Sequence, residues 1–222
     1  MPEASSEYSA VVEDILKLVW SAEEAGRDGV KPKDIGEYMG VVPSTTTENV
    51  QRLARQGLVT HERYGRVRLT EEGRAVALGM VRRHRLLETY LHEALGFSWD
   101  EVHEEAEILE HAVSERLLDR LDKVLGYPTR DPHGDPIPRA DGSSDEVPGV
   151  PLDSLAVGDG GMVERLPDRD PQALRAWEEV GLVPGVDVVL VGRAPGAITV
   201  ALDDGQMVQL GEALASGIGV RA

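Results

Sequence analysis

The stretch PSTTTENVQRLARQGLVTHERYGRVRLT, residues 43–70, predicts a helix followed by a β-hairpin. Pro43 suits the first turn of a helix, where its missing N–H has no intrahelical partner. Apolar residues then recur at helical spacing until Gly57, a typical stop signal. The alternating segments 58–63 and 67–70 are strand-like, and the glycine-containing turn between them favours a hairpin.

Two more helices are predicted before this stretch. Residues 7–25 carry apolar side chains at helical spacing, and residues 32–39 form a short segment that begins with proline and ends before Gly40. Two short helices joined by a tight turn and followed by a hairpin indicate a winged helix-turn-helix. The second helix of such a unit enters the DNA major groove.

The chain after the hairpin changes its texture twice. Residues 70–95 predict a long helix, and 99–125 predict one or two amphipathic helices. Residues 126–150 contain five Pro and four Gly, a composition typical of loops. Short apolar runs separated by Gly and Asp turns make 151–222 a small β-rich domain, with one helical stretch near 171–180.

The predicted fold is therefore mainly α with a small β part. It combines a winged helix-turn-helix, a helical region and a C-terminal β-rich domain. The boundaries that we expect are 1–74 for the DNA-binding domain, 75–140 for the helical domain, 141–150 for a linker and 151–222 for the β-rich domain.

Composition limits the possible chemistry. The chain has 222 residues and no cysteine, so disulfides, thiolate metal sites and cysteine nucleophiles are excluded. It has no long apolar run, and its N-terminus is acidic, so we expect a cytoplasmic protein. The net charge is -17, but it is unevenly distributed. Residues 27–85 hold 12 Lys and Arg against 7 Asp and Glu, whereas 86–130 hold 4 against 11. The basic segment suits DNA, and the acidic one suits cations.

Small hydroxyl residues begin the predicted recognition helix, where they allow close approach to base edges and phosphates. No Arg or Gln stands among those first residues, so DNA shape is expected to carry much of the specificity. The alternative is a helical bundle that binds protein. The residues predicted to contact DNA are Pro43, Ser44, Thr45, Thr47, Glu48, Arg52, Arg63 and Arg66, with Thr46, Arg55, His61 and Arg68 beside them.

Histidines and carboxylates recur at helical spacing in the acidic segment. His103, Glu107, Glu110 and His111 stand at i, i+4, i+7 and i+8, which places them on one face of a continuous helix. The pair His84 and Glu88 has the i, i+4 spacing on the preceding helix. These side chains can converge into one or two metal sites, and oxygen and nitrogen donors favour Mn(II) or Fe(II).

Three alternatives remain open at this level. Charge runs are usually solvated helix faces, and a DNA-binding regulator that responds to an organic ligand would also leave this face in water. Carboxylates and histidines can also activate water in a metallohydrolase. No nucleophile motif or phosphate loop supports an enzyme, which would also leave the basic segment unexplained.

Several motifs resemble the diphtheria-toxin-repressor family of metalloregulators. They are PSTTT at 43–47, RQGLV at 55–59, RRHRLLE at 82–88, VHEEAEILEH at 102–111 and DPHGDPIP at 131–138. The resemblance is close through about residue 140. Beyond residue 150 the sequence GLVPG at 181–185 and the β-rich tail resemble the SH3-like, FeoA-type domain of many members.

The resemblance implies a homodimeric, metal-dependent repressor of metal-homeostasis genes that binds a palindromic operator. It also implies that 75–140 is the helical metal-binding and dimerisation domain and that 151–222 is an SH3-like β-barrel. It implies one metal site formed by Asp14, Glu107, Glu110 and His111, and a second formed by His84, Glu88 and His103. Carboxylates at Asp14 and Glu107 replace the Met and Cys of iron-sensing members. This implies Mn(II) as the cofactor, with Fe(II) as the alternative and Zn(II) or Co(II) as substitutes in vitro.

Two positions depart from the family pattern. Lys17 stands where some manganese-sensing members place a second carboxylate, which argues against a closely spaced pair of metal ions. The SH3-like domain of iron-sensing members lends two ligands to the second site, and Asp170 and Gln172 are the corresponding candidates. A surface turn that caps the helix at 171–180 explains these two residues equally well.

Overall fold

The computed structural model describes residues 8–62, 65–145, 149–167 and 170–221. Helices and strands lie close to their predicted positions. The helices are α1 (Ala10–Glu24), α2 (Pro32–Tyr38), α3 (Pro43–Arg55), α4 (Glu71–Leu95), α5 (Trp99–Leu109), α6 (Glu115–Val124), α7 (Pro171–Glu179) and α8 (Glu212–Ala215). The strands are β1 (Val59–His61), β2 (Val67–Leu69), β3 (Val150–Pro151), β4 (Gly160–Arg165), β5 (Asp187–Ala194), β6 (Ala197–Leu202), β7 (Met207–Gly211) and β8 (Gly219–Arg221).

Two compact units make up the chain, and each is built from discontinuous segments. The first contains residues 1–83, 110–118 and 138–143. The second contains residues 84–109 and 119–137 together with everything from residue 144 onward. The long helix α4 contributes residues to both units.

The first unit contains the winged helix-turn-helix. Strands β1 and β2 pair antiparallel, with Thr60 opposite Arg68, and form the wing. Apolar residues of α1, α3 and the wing share one buried core, in which Ile15, Leu53 and Val67 have no exposed surface. The apolar spacing that predicts these helices therefore also supplies the core that fixes α3 against α1.

Close approach of α2 and α3 depends on Gly36. A Cβ built at this position would lie 2.7 Å from the hydroxyl oxygen of Thr46, a distance that real Cβ contacts essentially never show. Thr46 is itself buried, and its hydroxyl donates to the Val42 carbonyl oxygen at 3.4 Å. Small residues at this contact let the two helices of the motif pack tightly.

The second unit contains a six-stranded antiparallel sheet with strand order β3-β8-β4-β5-β6-β7. Its buried core includes Leu174 and Trp177 of α7 and also Trp99, the first residue of α5. Arg175 donates to the buried carboxylate of Asp100, so α5 and α7 are joined by an ion pair as well as by apolar packing.

The predicted fold class is confirmed: the described elements form a winged helix, a helical region and a C-terminal β-rich domain. The 99–125 segment resolves into two helices. The predicted helix near 171–180 is α7. Within the described residues, no helix is long and apolar enough to cross a membrane.

Candidate metal centre

Asp14, Glu110 and His111 form a first cluster of metal-type ligands in the first unit. One donor atom from each lies within 4.8 Å of the others. Nε2 of His111 is 2.9 Å from Oδ1 of Asp14 and 3.7 Å from Oε1 of Glu110. The Glu110 side chain is fully buried, whereas the other two are 23–24% exposed, so the cluster remains accessible from solvent.

The first cluster is formed by a turn where the sequence predicts a helix. Helix α5 ends at Leu109, so Glu110 and His111 lie beyond its last turn. The next helix begins after Ser114, whose hydroxyl accepts a hydrogen bond from the Leu117 N–H at 3.3 Å. A continuous helical face from His103 to His111 is therefore wrong. The neighbouring donors Glu110 and His111 nevertheless reach Asp14 on α1.

Two buried cations and another carboxylate surround the first cluster. Nζ of Lys17 is 2.6 Å from Oε1 of Glu110. Oε2 of Glu13 is 2.7 Å from Nδ1 of His111, and Oε1 of Glu13 is 3.5 Å from Nη1 of Arg83. The acidic ligands therefore lie in a site whose charge is already partly balanced.

Glu13 contacts the first cluster, and the sequence prediction omits it. Its carboxylate is only 3% exposed and contacts a residue 98 positions further along the chain. One local signal was available, because Glu13 stands between Val12 and Ile15 on the buried face of α1. A carboxylate on an apolar helix face requires a partner, although spacing alone does not identify that partner.

A second cluster lies in the second unit, between α4 and α5. Nε2 of His84 is 3.0 Å from Nδ1 of His103, and Oε1 of Glu88 lies 2.9 and 3.2 Å from these two nitrogens. Nε2 of His103 is 3.9 Å from Oε1 of Glu107. His84, His103 and Glu107 also satisfy the spacing expected of three ligands to one ion.

Glu88 is the buried acid of the second cluster. Burial by itself raises the pKa of this carboxyl, but the charge of His84 and hydrogen bonds from His103 and His84 hold the pKa well below its usual range. Its second oxygen, Oε2, is buried without a hydrogen-bond partner among the described residues. An ionised carboxylate with one unsatisfied buried oxygen fits the role of a cation ligand.

The structure distributes the remaining predicted ligands differently. The family resemblance implies that Glu107 belongs to the first site, whereas in the structure its Oε1 lies 3.9 Å from Nε2 of His103, beside the second cluster. Asp170 is the N-cap of α7, where its Oδ1 accepts from the N–H groups of Gln172 and Ala173 at 3.0 and 3.1 Å. Both Asp170 and Gln172 are exposed, and the capping turn is the arrangement observed.

The donor set fits a divalent cation of borderline hardness. Both clusters combine carboxylate oxygens with imidazole nitrogens, and the chain has no cysteine. Such ligands suit Mn(II), Fe(II) and Zn(II), whereas Cu(I) prefers thiolates and thioethers. The geometry thus provides two candidate cation sites, one in each unit.

The predicted DNA-contacting side chains lie mostly on the exposed face of α3. Pro43, Ser44, Thr45, Thr47 and Glu48 are exposed. Thr46 is the exception, because its side chain is buried against α2. The exposed first turns of α3 are thus available to a DNA groove.

A basic cleft of about 910 Å³ is lined by residues from the start of α2, from α3 and from the wing. Arg66 lines this cleft and also donates to the Gly29 carbonyl oxygen at 3.1 Å, while Arg68 makes two 2.7 Å contacts with Asp28. Arg52 is half-buried and donates to Asn49, and Arg63 lies outside the described residues. The cleft is lined by Lys31, Pro32, Lys33, Thr47, Gln51, His61, Gly65 and Arg66.

Family models match consecutive parts of the chain. The N-terminal DNA-binding domain of iron dependent repressors matches residues 7–67, and their metal-binding and dimerisation domain matches residues 70–139. The FeoA domain matches residues 150–222. The iron-dependent repressor IdeR of Mycobacterium tuberculosis is 30% identical in an alignment of 227 positions. The alignment covers 97% of this chain and 98% of that protein.

The chain belongs to the diphtheria-toxin-repressor family. Members of this family are metal-dependent transcriptional repressors and not enzymes, which removes the metallohydrolase alternative. A solved manganese-dependent transcriptional repressor in complex with manganese is 48% identical, with a TM-score of 0.90 over 95% of this chain and 99% of that one. The manganese regulator SloR is 33% identical, with a TM-score of 0.80 over 95% and 97% of the two chains.

Proposed function

We propose that this repressor is activated by Mn(II) and binds palindromic operator DNA as a metal-loaded homodimer, controlling manganese-homeostasis genes. The observation that carries the proposal is the donor set of the first cluster. Two carboxylates and one imidazole, from Asp14, Glu110 and His111, converge without any sulfur ligand. Oxygen-rich sites of this kind suit Mn(II), and the similarity to manganese-dependent repressors supports the same choice.

Position in the fold explains how the first cluster can act as a switch. Asp14 belongs to α1, and the next residue, Ile15, is fully buried in the core that also contains Leu53 of α3. Glu110 and His111 come from the turn after α5. When Asp14 binds the same cation as these two residues, α1 is tied to that turn, and α3 is held with α1 through the core.

Holding α3 in place favours DNA binding. In a dimer the two recognition helices must face successive major grooves, about 34 Å apart. A bound divalent cation would also offset the negative charge of the Asp14 and Glu110 carboxylates. Restricting the orientation of α1 and α3 lowers the ordering cost of DNA binding, so metal and operator each strengthen binding of the other, by about 1–3 kcal/mol.

The second cluster is proposed as a supporting cation site. His84, Glu88, His103 and Glu107 would hold the ion between α4 and α5, and the unsatisfied Oε2 of Glu88 supports this assignment. Asp170 and Gln172 remain predicted ligands only, because the carboxylate of Asp170 already caps α7.

Iron is the alternative metal. The IdeR relatives are named as iron-dependent repressors, and Fe(II) accepts the same oxygen and nitrogen donors. Comparing operator affinity with Mn(II) and with Fe(II) under anaerobic conditions separates the two. Operator binding that Fe(II) activates and saturating Mn(II) does not would contradict the manganese assignment.

An Asp14→Ala variant tests the switch itself. We expect it to lose at least tenfold in Mn(II)-dependent operator affinity, measured by fluorescence anisotropy across a metal titration. Glu24→Ala, at the far end of the same helix, is the control and should respond to Mn(II) like the wild type. Unchanged metal activation of Asp14→Ala would refute the role of the first cluster.

A further inference from the structure

The two nitrogens of the His111 ring are held by consecutive residues of α1. Nε2 is 2.9 Å from Oδ1 of Asp14, and Nδ1 is 2.7 Å from Oε2 of Glu13. The nitrogens of an imidazole point in divergent directions, so one cation cannot use both. Glu13 therefore approaches the side of the ring that faces away from the donors Asp14 and Glu110.

Glu13 is buried and is independently held in position. Its side chain is 3% exposed, and its other oxygen lies 3.5 Å from the guanidinium of Arg83. Arg83 in turn donates to the exposed carboxylate of Glu115 at 2.5 Å. Both ring nitrogens of His111 face a carboxylate, and a carboxylate accepts hydrogen bonds. Once a cation takes the Nε2 lone pair, the ring proton must lie on Nδ1, where Glu13 accepts it.

We propose that Glu13 is the positioning residue of the first metal site. It accepts the Nδ1–H of His111, which fixes the tautomer, orients the ring and leaves the Nε2 lone pair directed toward Asp14 and Glu110. A carboxylate in this position also makes the imidazole a stronger donor, and its loss typically weakens metal binding by about 10–100-fold. The inference rests on the proposed function of the first cluster.

The test compares two Glu13 variants with a matched control. Glu13→Leu removes the acceptor, while Glu13→Gln keeps a carbonyl oxygen of nearly the same shape and guards against a folding defect. Glu115→Gln removes the other carboxylate that contacts Arg83 and leaves the surroundings of His111 unchanged. Mn(II) affinity is measured by competition with a chelating dye. The His111 tautomer is measured by long-range ¹H–¹⁵N NMR, at a pH where the ring is neutral, in metal-free protein that also carries Asp14→Ala, because this change removes the carboxylate beside Nε2.

We expect wild type and Glu115→Gln to bind Mn(II) equally and, in the Asp14→Ala background, to show the Nδ1–H tautomer. Glu13→Leu should shift His111 toward the Nε2–H tautomer and bind Mn(II) about 10–100-fold more weakly, with Glu13→Gln between them. Wild-type affinity and tautomer in both Glu13 variants would overturn the inference, as would equal weakening by Glu115→Gln. Failure of the wild type to bind Mn(II) or Fe(II) would instead refute the proposed function and the inference with it.

Discussion

The ammonium group of Lys17 lies 2.6 Å from Oε1 of Glu110, and both side chains are almost completely buried. Glu110 is also one of the three ligands of the first cluster. In the absence of metal its charge is therefore paired with a cation that the protein itself provides. Pairing with Lys17 lets this buried carboxylate fold without metal, and a divalent cation bound at the first cluster would share Glu110 with Lys17.

Lys17→Met is expected to destabilise the metal-free protein by about 3–5 kcal/mol, because it leaves a buried carboxylate without its cation. The loss should be clearly smaller with saturating Mn(II), since the metal then pairs with Glu110. Urea denaturation with and without Mn(II) measures both values. The control is Lys33→Met, whose exposed pair with Glu37 should contribute about 0–1 kcal/mol. Equal losses in both conditions would show that Glu110 is not a metal ligand.

Glu107→Ala separates the two clusters. Because Glu107 lies beside His103 in the second cluster, we expect this variant to weaken one class of bound Mn(II) about tenfold and to leave the other class unchanged. Isothermal titration calorimetry resolves the two classes, with Asp14→Ala as the complementary variant. A Glu107→Ala protein with the binding defect of Asp14→Ala would return Glu107 to the first cluster.

His133 is a buried histidine whose two ring nitrogens have no hydrogen-bond partner among the described residues. Its ring packs edge-on against Trp99, with 5.5 Å between centroids. His133→Phe keeps this packing and removes the unsatisfied nitrogens, so we expect a gain of about 1–2 kcal/mol in unfolding free energy. Thermal denaturation of the metal-free protein measures this change.

His92 is the control for this prediction, because both of its ring nitrogens have hydrogen-bond partners. Its Nδ1 contacts the Phe97 carbonyl oxygen at 3.0 Å, and its Nε2 accepts from the indole of Trp99 at 3.3 Å. His92→Phe should therefore destabilise the protein by about 1–3 kcal/mol. Destabilisation of His133→Phe by a similar amount would mean that the His133 nitrogens take part in bonding.

Acid is expected to weaken the ion pair between α5 and α7. Burial alone raises the pKa of Asp100, but hydrogen bonds from Ser98 and Arg175 hold the pKa below its usual value of 3.8. Asp100 therefore stabilises the fold above about pH 3.8, and this contribution is lost as the pH falls through the lower pKa of the folded state.

Asp100→Asn should make the unfolding free energy of the metal-free protein depend less on pH between pH 5 and about pH 3. Glu104→Gln, an exposed carboxylate on the same helix, is the control and should follow the wild type. Urea denaturation at each pH provides the measurement. An Asp100→Asn profile parallel to that of the wild type would contradict the assignment.

Short-range sequence patterns were sufficient to predict the helices and strands of the DNA-binding domain and the long helix after it. Apolar spacing, Pro43 at a helix start and glycine at helix ends act within a few residues, so they identify α1 to α4 and the wing without tertiary information. The ligand types follow equally directly. Histidines and carboxylates without cysteine limit the metal chemistry whatever the fold.

Only the tertiary structure decided which of the candidate ligands lie close together. The pairs Lys17–Glu110 and Glu13–His111 join residues 93 and 98 positions apart, and no local pattern encodes such contacts. Residues three apart share a helix face only while the helix continues. Because α5 ends at Leu109, Glu107 and Glu110 lie in different clusters. The sequence by itself determined the elements and the donor chemistry, and packing between distant segments determined how the donors are shared, because burial and charge pairing depend on the whole fold.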